Sequence, residues 1–146
     1  MQRAFLPAFA GLVILGALLF AGCSTYGSRA AGPGPAVKKH VFVLSNLNDN
    51  NSLDSQIAAA IKLRGYVVEY GPVTMMPDDT QVVVSYEDHW NWDFGDHLTF
   101  LELTARDRTT GQSYATAHYQ AKIPTKKAVA KVIGELVDRL IADARS

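Results

Sequence analysis

The sequence predicts that residues 40–146 form one globular α+β domain. We expect a two-layer sandwich, with a mixed, mostly antiparallel sheet of about five strands and two helices on one face. Three observations predict this fold: an apolar strand precedes a short amphipathic helix, four more strand-like segments follow, and a helix with a continuous apolar stripe closes the chain. The predicted element order is therefore β-α-β-β-β-β-α.

The first unit is a strand over residues 40–46 and a helix that begins at a cap on Asn51 or Ser52. The segment HVFVLSN contains consecutive apolar residues, which is typical of a strand buried on both faces. Polar side chains favour the cap position because they accept a hydrogen bond from the first free N–H groups of a helix. Gly65 follows the helix, where glycine adopts the left-handed conformation that ends it.

The segments after Gly65 have the alternation and the flanking turn residues of strands. The sequence RTTG joins the last two, with Gly111 at a position that needs a positive φ. The first strand–helix–strand unit is expected to cross over right-handed, and the later strands to meander. The predicted strands are 66–70, 80–87, 98–107 and 112–122.

The closing helix follows Pro124 and a cap at Thr125. Its apolar residues recur at spacings of three and four, whereas charged residues of both signs occupy the other side. We expect the apolar stripe to pack on the sheet rather than on a membrane surface, because a small domain needs this area for its core. The stripe consists of Ala128, Val129, Val132, Ile133, Leu136, Val137, Leu140 and Ile141.

Residues 1–22, MQRAFLPAFAGLVILGALLFAG, have the layout of a secretory signal peptide. Arg3 and the amino terminus are positive, and an uncharged, mostly apolar run covers residues 4–20. This run is close to the length of a transmembrane helix, which is the alternative interpretation. Cys23, the single cysteine of the chain, follows shortly after the run.

The residues Phe20-Ala21-Gly22-Cys23 resemble the lipobox of bacterial lipoproteins, with Phe20 at a position where leucine is commoner. The resemblance implies cleavage before Cys23, a diacylglycerol on its thiol and an N-acyl chain such as palmitate on its new amine. A thiolate is the best nucleophile available for making such a thioether. No other cofactor is expected. Ser24, where an aspartate would retain a lipoprotein at the inner membrane, favours the outer membrane, facing the periplasm.

Residues 23–39 are predicted to be the lipidated cysteine and a flexible tether. The segment STYGSRAAGPGPAV is dominated by Gly, Pro and Ala and has no periodic pattern. Loss of the signal removes Arg3, so the mature chain has 13 Lys and Arg against 14 Asp and Glu. This charge balance gives no basis for binding nucleic acid.

Three short motifs resemble those of small uncharacterised periplasmic lipoprotein domains. They are a helix that ends in Gly65-Tyr66, the strand sequence DTQVVVSY over residues 79–86, and the hairpin DRTTG over residues 107–111. In architecture, the predicted order also resembles the lipopolysaccharide-assembly lipoprotein LptE. The resemblance covers residues 40–146, and it implies a fold more than a function.

The segment SYEDHWNWDFGDHL, residues 85–98, is predicted to be a hairpin with its tip between Asn91 and Gly95. Its aromatic side chains would either form a contact surface or fold back over the sheet face that has no helices, since such side chains bury much area at low entropic cost. The predicted contact residues are Trp90, Trp92, Phe94 and Tyr86, and the uncovered face is expected to carry Tyr86, Trp90, Trp92, Tyr114 and His118.

The same segment contains weak candidates for a metal site. His89 and His97 would face each other across the hairpin, with Asp88, Asp93 or Asp96 to complete the ligand set. The sequence has no HxH or HxxxH spacing. Solvated hairpin side chains are therefore the favoured interpretation.

An enzyme is not expected, since the sequence shows no nucleophile–base signature and no glycine-rich phosphate loop. The sequence favours a membrane-tethered cell-envelope lipoprotein that acts as a non-enzymatic binding or assembly module. Its partners would be the membrane, through the lipid anchor, and an envelope protein or ligand. The alternative is a periplasmic carrier that holds a ligand or metal ion on the His/Asp/Trp hairpin, and an envelope enzyme comes third.

Overall fold

The structure, a computed structural model, describes residues 24–30, 40–92, 95–121 and 128–144. These residues form one mixed sheet of six strands in the order β1-β6-β5-β4-β2-β3, with two α-helices, which confirms the α+β fold. The elements are β1 Ser24–Ala30, β2 His40–Leu44, α1 Leu53–Lys62, β3 Val67–Gly71, β4 Val82–Asn91, β5 His97–Asp107, β6 Ser113–Ala121 and α2 Val129–Asp143.

Strand β1 corrects the prediction of a flexible tether for residues 24–30. These residues pair antiparallel with β6 over the whole length from Ser24 to Ala30. Tyr26 packs against the core, with its ring centroid 5.0 Å from that of Tyr119. The sheet therefore has six strands rather than about five. The rest of the predicted tether, residues 31–39, lies outside the described residues.

The parallel part of the sheet is β3-β2-β4, in which β2 pairs in parallel with both neighbours. The chain passes from β2 to β3 through α1, and from β3 to β4 through a short 3₁₀ helix, Val73–Met75. These two connections cross the sheet in opposite directions, so the right-handed rule places them on opposite faces. Consistent with this, Met75 and the ring of Phe42 both lie 3.7 Å from a Cβ built on Gly71, and Phe42 is only 1% exposed.

The antiparallel part of the sheet is β4-β5-β6-β1, as the predicted meander requires. The β5–β6 turn is held by Asp107, whose Oδ1 accepts hydrogen bonds from the backbone N–H groups of Thr109 and Thr110 at 2.8 and 2.9 Å. Gly111 has a φ of 70°, as its place in the RTTG turn predicts. Tyr114 is buried beside this turn and donates a hydrogen bond to Asp107.

The core lies between the two helices and one face of the sheet, which we call the helix side. Helix α1 lies over β2 and β3, and α2 lies over β1, β5 and β6. Because strand side chains alternate between faces, every second residue of the sheet belongs to this layer. The core strand residues include Val41, Val43, Val84, Leu101, Leu103, Ala105, Ala115, Ala117 and Tyr119.

Helix α2 packs on the sheet through its apolar stripe, as predicted. Five residues of the stripe are at most 4% exposed, and the ends of the stripe are partly buried or exposed. The predicted cap at Thr125 lies outside the described residues. The buried residues of the helix are Val132, Ile133, Leu136, Val137 and Leu140.

Arg64 joins the two helices at the end of α1. Its Nε donates to Asp138 Oδ1 at 2.7 Å, and its Nη2 donates to the carbonyl oxygen of Gly134 at 2.9 Å. The guanidinium thus satisfies one side chain and one backbone group of α2. The hydrogen bond with Arg64 holds the pKa of Asp138 below its ordinary value. Gly65 follows with a φ of 87°, as expected for the residue that ends a helix.

The opposite face of the sheet, which we call the open side, is mostly polar. Thr104 and Thr116 form a hydrogen bond of 3.3 Å there between neighbouring strands. His118 lies over Gly27 of β1, so a Cβ at position 27 would clash with its ring. One apolar and one polar face is the usual pattern of an antiparallel sheet with solvent on one side. Within the described residues, no helix is long and apolar enough to cross a membrane.

Candidate functional site

The tip of the β4–β5 hairpin projects beyond the rest of the sheet. Only Val41–Val43 of β2 pair with β4, so the second half of β4 extends past β2. The last described pair of the hairpin is Asn91 opposite His97, and Gly95 in the turn has a φ of 105°. A register shift after His89 adds a bulge and increases the local twist. The predicted hairpin over residues 85–98 is therefore present.

The two tryptophans of the hairpin have different environments. Trp90 is half-buried, packs against the core on the helix side, and donates from Nε1 to Asp88 Oδ2 at 2.6 Å. Trp92, beyond the last paired residues, is 68% exposed. The third predicted aromatic residue, Phe94, lies outside the described residues. Of the predicted contact residues that the structure describes, Trp92 is the one that presents most of its surface to solvent.

Tyr86 has a structural role on the helix side. Its hydroxyl donates to Asp49 Oδ2 at 2.8 Å and accepts from the backbone N–H of Asn46 at 3.2 Å. Burial raises the pKa of the Tyr86 hydroxyl well above its ordinary value, and the Asp49 carboxylate adds to that rise. The placement of Tyr86 and Trp90 on the uncovered face was therefore wrong, because their alternation with Val84 puts them on the helix side.

Asp49 organises the connection between β2 and α1, which sequence reasoning missed. Its Oδ2 accepts from the backbone N–H of Leu53 at 2.5 Å, and its Oδ1 accepts from that of Asn51 at 2.8 Å. Asp49 thereby caps α1, whereas Ser52 occupies the N-cap position with a φ of 53° and makes no side-chain cap bond. The available signal was an aspartate four residues before the first helical residue. The predicted cap on Asn51 or Ser52 was wrong for this reason.

The predicted metal ligands are only partly within the described residues. His89 Nε2 lies 3.4 Å from Glu87 Oε1, and the His89 ring lies 5.3 Å from that of Phe100. Asp96 is exposed in the turn, and Asp93 lies outside the described residues. Among the residues that the structure describes, no group of three or more His, Cys, Asp or Glu side chains is placed to hold a metal ion.

The start of β1 lies at the same end of the sheet as the hairpin tip. Ser24 of β1 pairs with Ala121 of β6. The preceding residue of β6, Gln120, pairs with Phe100 of β5, and Phe100 pairs with His89 of β4. Ser24 is therefore nearly level with the last part of β4. We call this the tip end of the sheet. Cys23 directly precedes Ser24 and is itself outside the described residues.

A second candidate surface surrounds β3, the edge strand at the other side of the sheet. Among the described residues, seven large apolar side chains are exposed, and five of them belong to residues 63–75. They flank a strand whose only partner in the described sheet is β2. An exposed apolar edge strand is a typical site for pairing with another chain. We call this set the edge patch: Leu63, Val67, Tyr70, Val73 and Met75.

His40 of β2 contacts both β3 and the connection that leads from β3 to β4. Its Nε2 lies 3.2 Å from Glu69 Oε1 on β3, and its Nδ1 lies 2.9 Å from Asp79 Oδ2 in the connection to β4. The imidazole is mostly buried, with 14% of its side chain exposed. This histidine therefore links three consecutive segments of the parallel part of the sheet.

No protein-family model and no curated protein matches the sequence. Among solved structures, the dodecamer of a PelC point variant from Paraburkholderia phytofirmans has a TM-score of 0.61 at 16% identity, covering 84% of this chain and 99% of the PelC chain. A second PelC dodecamer from that organism has a TM-score of 0.60 at 15% identity, covering 85% and 99%.

A PDZ domain protein from Parabacteroides distasonis ATCC 8503 has a TM-score of 0.42 at 9% identity, covering 90% of this chain and 39% of its own; this similarity is too low to carry an argument. At the identities of the PelC structures, the likeness shows a shared fold across nearly the whole PelC chain. The resemblance to LptE in element order stays a prediction from the sequence.

Proposed function

We propose that the chain is a lipid-anchored module of the bacterial cell envelope that acts by binding and assembly rather than by catalysis. The observation that carries the proposal is the position of β1. The chain enters the sheet at Ser24, the residue that follows the lipobox-like sequence ending in Cys23. In this proposal the signal peptide is removed and Cys23 carries the lipid. The next residue, Ser24, is already the first residue of β1, so the lipid anchor is joined directly to the sheet.

This path leaves almost no slack between the anchor and the domain. One residue spans at most about 3.6 Å, so an acylated Cys23 holds the tip end of the sheet against the bilayer. Several acyl chains, at about 0.8 kcal/mol per buried CH₂, make such an anchor stable. The domain is thus oriented by its own sheet, with the β5–β6 turn, at the other end of the strands, directed away from the membrane.

Trp92 then lies on the membrane side of the domain. Three strand spacings separate β1 from β4, roughly 14 Å, so the hairpin tip and the anchor meet the same patch of bilayer surface. Tryptophan is enriched at the membrane–water interface because its ring is amphipathic. We propose that Trp92 contacts the headgroup region or an envelope protein embedded there. Of the predicted contact residues, Tyr86 and Trp90 pack on the helix side, so the proposed contact surface is centred on Trp92.

The engagement of polar side chains supports a non-enzymatic role. The Tyr86 hydroxyl donates a hydrogen bond to Asp49, and Asp49 also accepts hydrogen bonds from three backbone N–H groups at the start of α1. The other acidic group there, Asp54, accepts a 2.5 Å hydrogen bond from the hydroxyl of Ser45. These groups serve to close a loop and cap a helix. The dodecameric PelC structures, which share the fold, support assembly as the task of the exposed edge patch.

Metabolic labelling tests the anchor directly. Cells that express the full chain are fed a labelled fatty acid, and membrane and soluble fractions are compared for wild type and Cys23→Ser. We expect label on the wild-type protein, recovered in the membrane fraction, and neither label nor stable membrane association for Cys23→Ser. Label on the Cys23→Ser protein, or an unlabelled wild type, would end the proposal.

A further inference from the structure

We infer that β1 of one copy of this chain adds antiparallel to β3 of the next copy, so that neighbouring sheets join head to tail into one continuous sheet. The partner for the edge patch is thus a second copy in the same orientation. The inference depends on one part of the proposed function, namely that every copy is attached to the same bilayer at its tip end.

The edge strand β3 carries little of what usually protects a sheet edge. Natural edge strands carry charged residues, especially lysine, or prolines or bulges that prevent pairing with another chain, and β3 has a single charged residue, Glu69, and neither lysine nor proline. Strand β3 has the sequence VVEYG, with Val67 58% exposed and Tyr70 50% exposed. These two side chains point to opposite faces, and Met75 of the edge patch lies 3.7 Å from a Cβ built on Gly71, the last residue of β3. A strand added here would be contacted by apolar side chains above and below its backbone.

The direction of the strands fits an added β1. Strand β3 runs parallel to β2 and β4, whereas β5, β6 and β1 alternate in direction. It follows that β1 runs opposite to β3 within one chain. A second copy placed beside the first in the same orientation therefore brings its β1 antiparallel to β3, the geometry in which backbone hydrogen bonds lie perpendicular to the strands. With both copies at one height above the bilayer, the strand registers bring Arg29 and Ala30 of β1 level with Gly71 and Tyr70 at the end of β3.

The faces and charges of the two strands also match. Glu69 lies on the open side of β3, since it pairs with Phe42, and its side chain is 55% exposed beside His40. Arg29 lies on the open side of β1, two residues from Gly27, and is exposed. In the joined sheet an acidic and a basic side chain thus share one face across the new pair of strands. Opposite charges on neighbouring strands stabilise pairing modestly and help to fix its register.

The membrane anchor selects this arrangement over antiparallel pairing of like edge strands. If β3 paired with β3, or β1 with β1, in an antiparallel dimer, the tip ends of the two copies would lie at opposite ends of the joined sheet. One bilayer surface cannot hold both anchors in that arrangement. Head-to-tail pairing keeps every tip end on the same side, and repetition of a heterologous contact closes into a ring when its rotation allows. The anchor and the two unlike edges together therefore specify a planar assembly.

Site-specific crosslinking in membranes tests the pairing. The full chain is expressed with Glu69→Cys, with Arg29→Cys, or with both, and the membranes are treated with a short bis-maleimide. We expect the double variant to give a ladder that extends beyond the dimer, and each single variant to stay monomeric. A monomer alone from the double variant overturns the inference. So does a dimer from either single variant, since that band reports two-fold pairing of like strands.

A blocking substitution with a matched control shows that the edge patch is responsible. In the double-cysteine chain, Tyr70→Lys places a charge on the edge strand, whereas Leu47→Lys changes an apolar residue that is 98% exposed elsewhere. We expect at least a tenfold loss of the ladder for Tyr70→Lys and an unchanged ladder for Leu47→Lys, with similar melting temperatures. A ladder that survives Tyr70→Lys, or that Leu47→Lys removes equally, overturns the role of the patch.

The fatty-acid label separates the two levels of the proposal. Label on the chain without a ladder means that the anchor stands and the edge pairing fails. A ladder without label means that the proposed anchor fails, while the pairing of unlike edges stands on its own contacts.

Discussion

Two polar connections of the molecule look alike in sequence and differ in use: residues 45–52, between β2 and α1, and residues 91–97, at the hairpin tip. Both are rich in Asn and Asp. In the first, Asp49 receives hydrogen bonds from Tyr86 and from the free N–H groups at the start of a helix. In the second, the described residues include an exposed aspartate and an exposed tryptophan.

The difference teaches that a carboxylate in a loop takes its role from what the fold brings beside it. A helix start presents free N–H groups, and the hydroxyl of the half-buried Tyr86 adds a donor, so Asp49 becomes structural. At the hairpin tip, the described residues Trp92 and Asp96 are exposed to solvent. The first connection therefore stabilises the domain, and the second is available for contact.

The largest effect is expected at Asp49. Asp49→Ala removes the cap of α1 and leaves the Tyr86 hydroxyl without its acceptor, which together cost about 2–4 kcal/mol of unfolding free energy. Chemical denaturation of the membrane-extracted chain measures this cost. Asp96→Ala is the matched control at the hairpin tip and should stay within about 0.5 kcal/mol of wild type. Equal effects of the two substitutions would erase the distinction between the connections.

The two tryptophans should separate stability from contact. Trp90→Ala removes a half-buried ring from the helix side and should lower stability by about 2 kcal/mol, below the cost of a fully buried aromatic residue. Trp92→Ala removes an exposed ring and should leave stability within about 0.5 kcal/mol while weakening envelope crosslinks at the tip. Melting temperature and crosslink yield are measured on each variant. Unchanged crosslinks in Trp92→Ala would show that the tip makes no contact.

Tyr86→Phe should have a smaller effect with a definite pH dependence. Loss of its hydroxyl removes the hydrogen bond to Asp49 and costs about 1–2 kcal/mol near neutral pH. Because the pKa of Tyr86 is raised in the folded state, its stabilising contribution is present below the unfolded pKa of about 10 and is lost as pH rises further. The stability difference between wild type and variant should therefore shrink above pH 10. A difference that grows there would contradict the assigned hydrogen bond.

The smallest effect is expected at Asp138, whose carboxylate is 66% exposed and forms a salt bridge with Arg64. Its pKa is lowered in the folded state, so its contribution is present above the unfolded value of about 3.9 and is lost as pH falls through the folded value. Solvent screening limits this contribution to less than about 1 kcal/mol. Acid titration of stability in wild type and Asp138→Asn measures it. Identical acid profiles would show that the pair contributes nothing.

The sequence predicts those elements whose pattern is local. The apolar stripe of α2, the RTTG turn and the strand alternation of residues 80–87 all depend on neighbours within a few positions, and all are confirmed. Strand β1 was missed because its sequence has no alternation and it forms only against β6, about ninety residues away in the register. Position 27 of this strand requires glycine because the ring of His118 occupies the space where a Cβ would lie.

The candidate site was predicted in composition better than in orientation. The shared face of Val82, Val84 and Tyr86 was correctly inferred from a period of two. The same pattern contained the missing step: two valines on that face mark it as the core side, so Tyr86 and Trp90 belong there as well. The capping role of Asp49 had a local signal, its position four residues before Leu53, whereas its hydrogen bond with Tyr86 could not be read from the sequence, since it depends on a hydroxyl brought from β4.

The central claim is that β1 leads straight from the anchor into the sheet and so holds the hairpin tip at the bilayer. Trp90→Phe leaves Trp92 as the single tryptophan of the chain, and Trp92→Phe leaves Trp90. The lipidated protein is placed in vesicles whose lipids carry a bromine quencher near the headgroup, and tryptophan fluorescence is recorded. The account predicts strong quenching of Trp92 and weaker quenching of the half-buried Trp90. Unquenched Trp92 in vesicle-bound protein would contradict it.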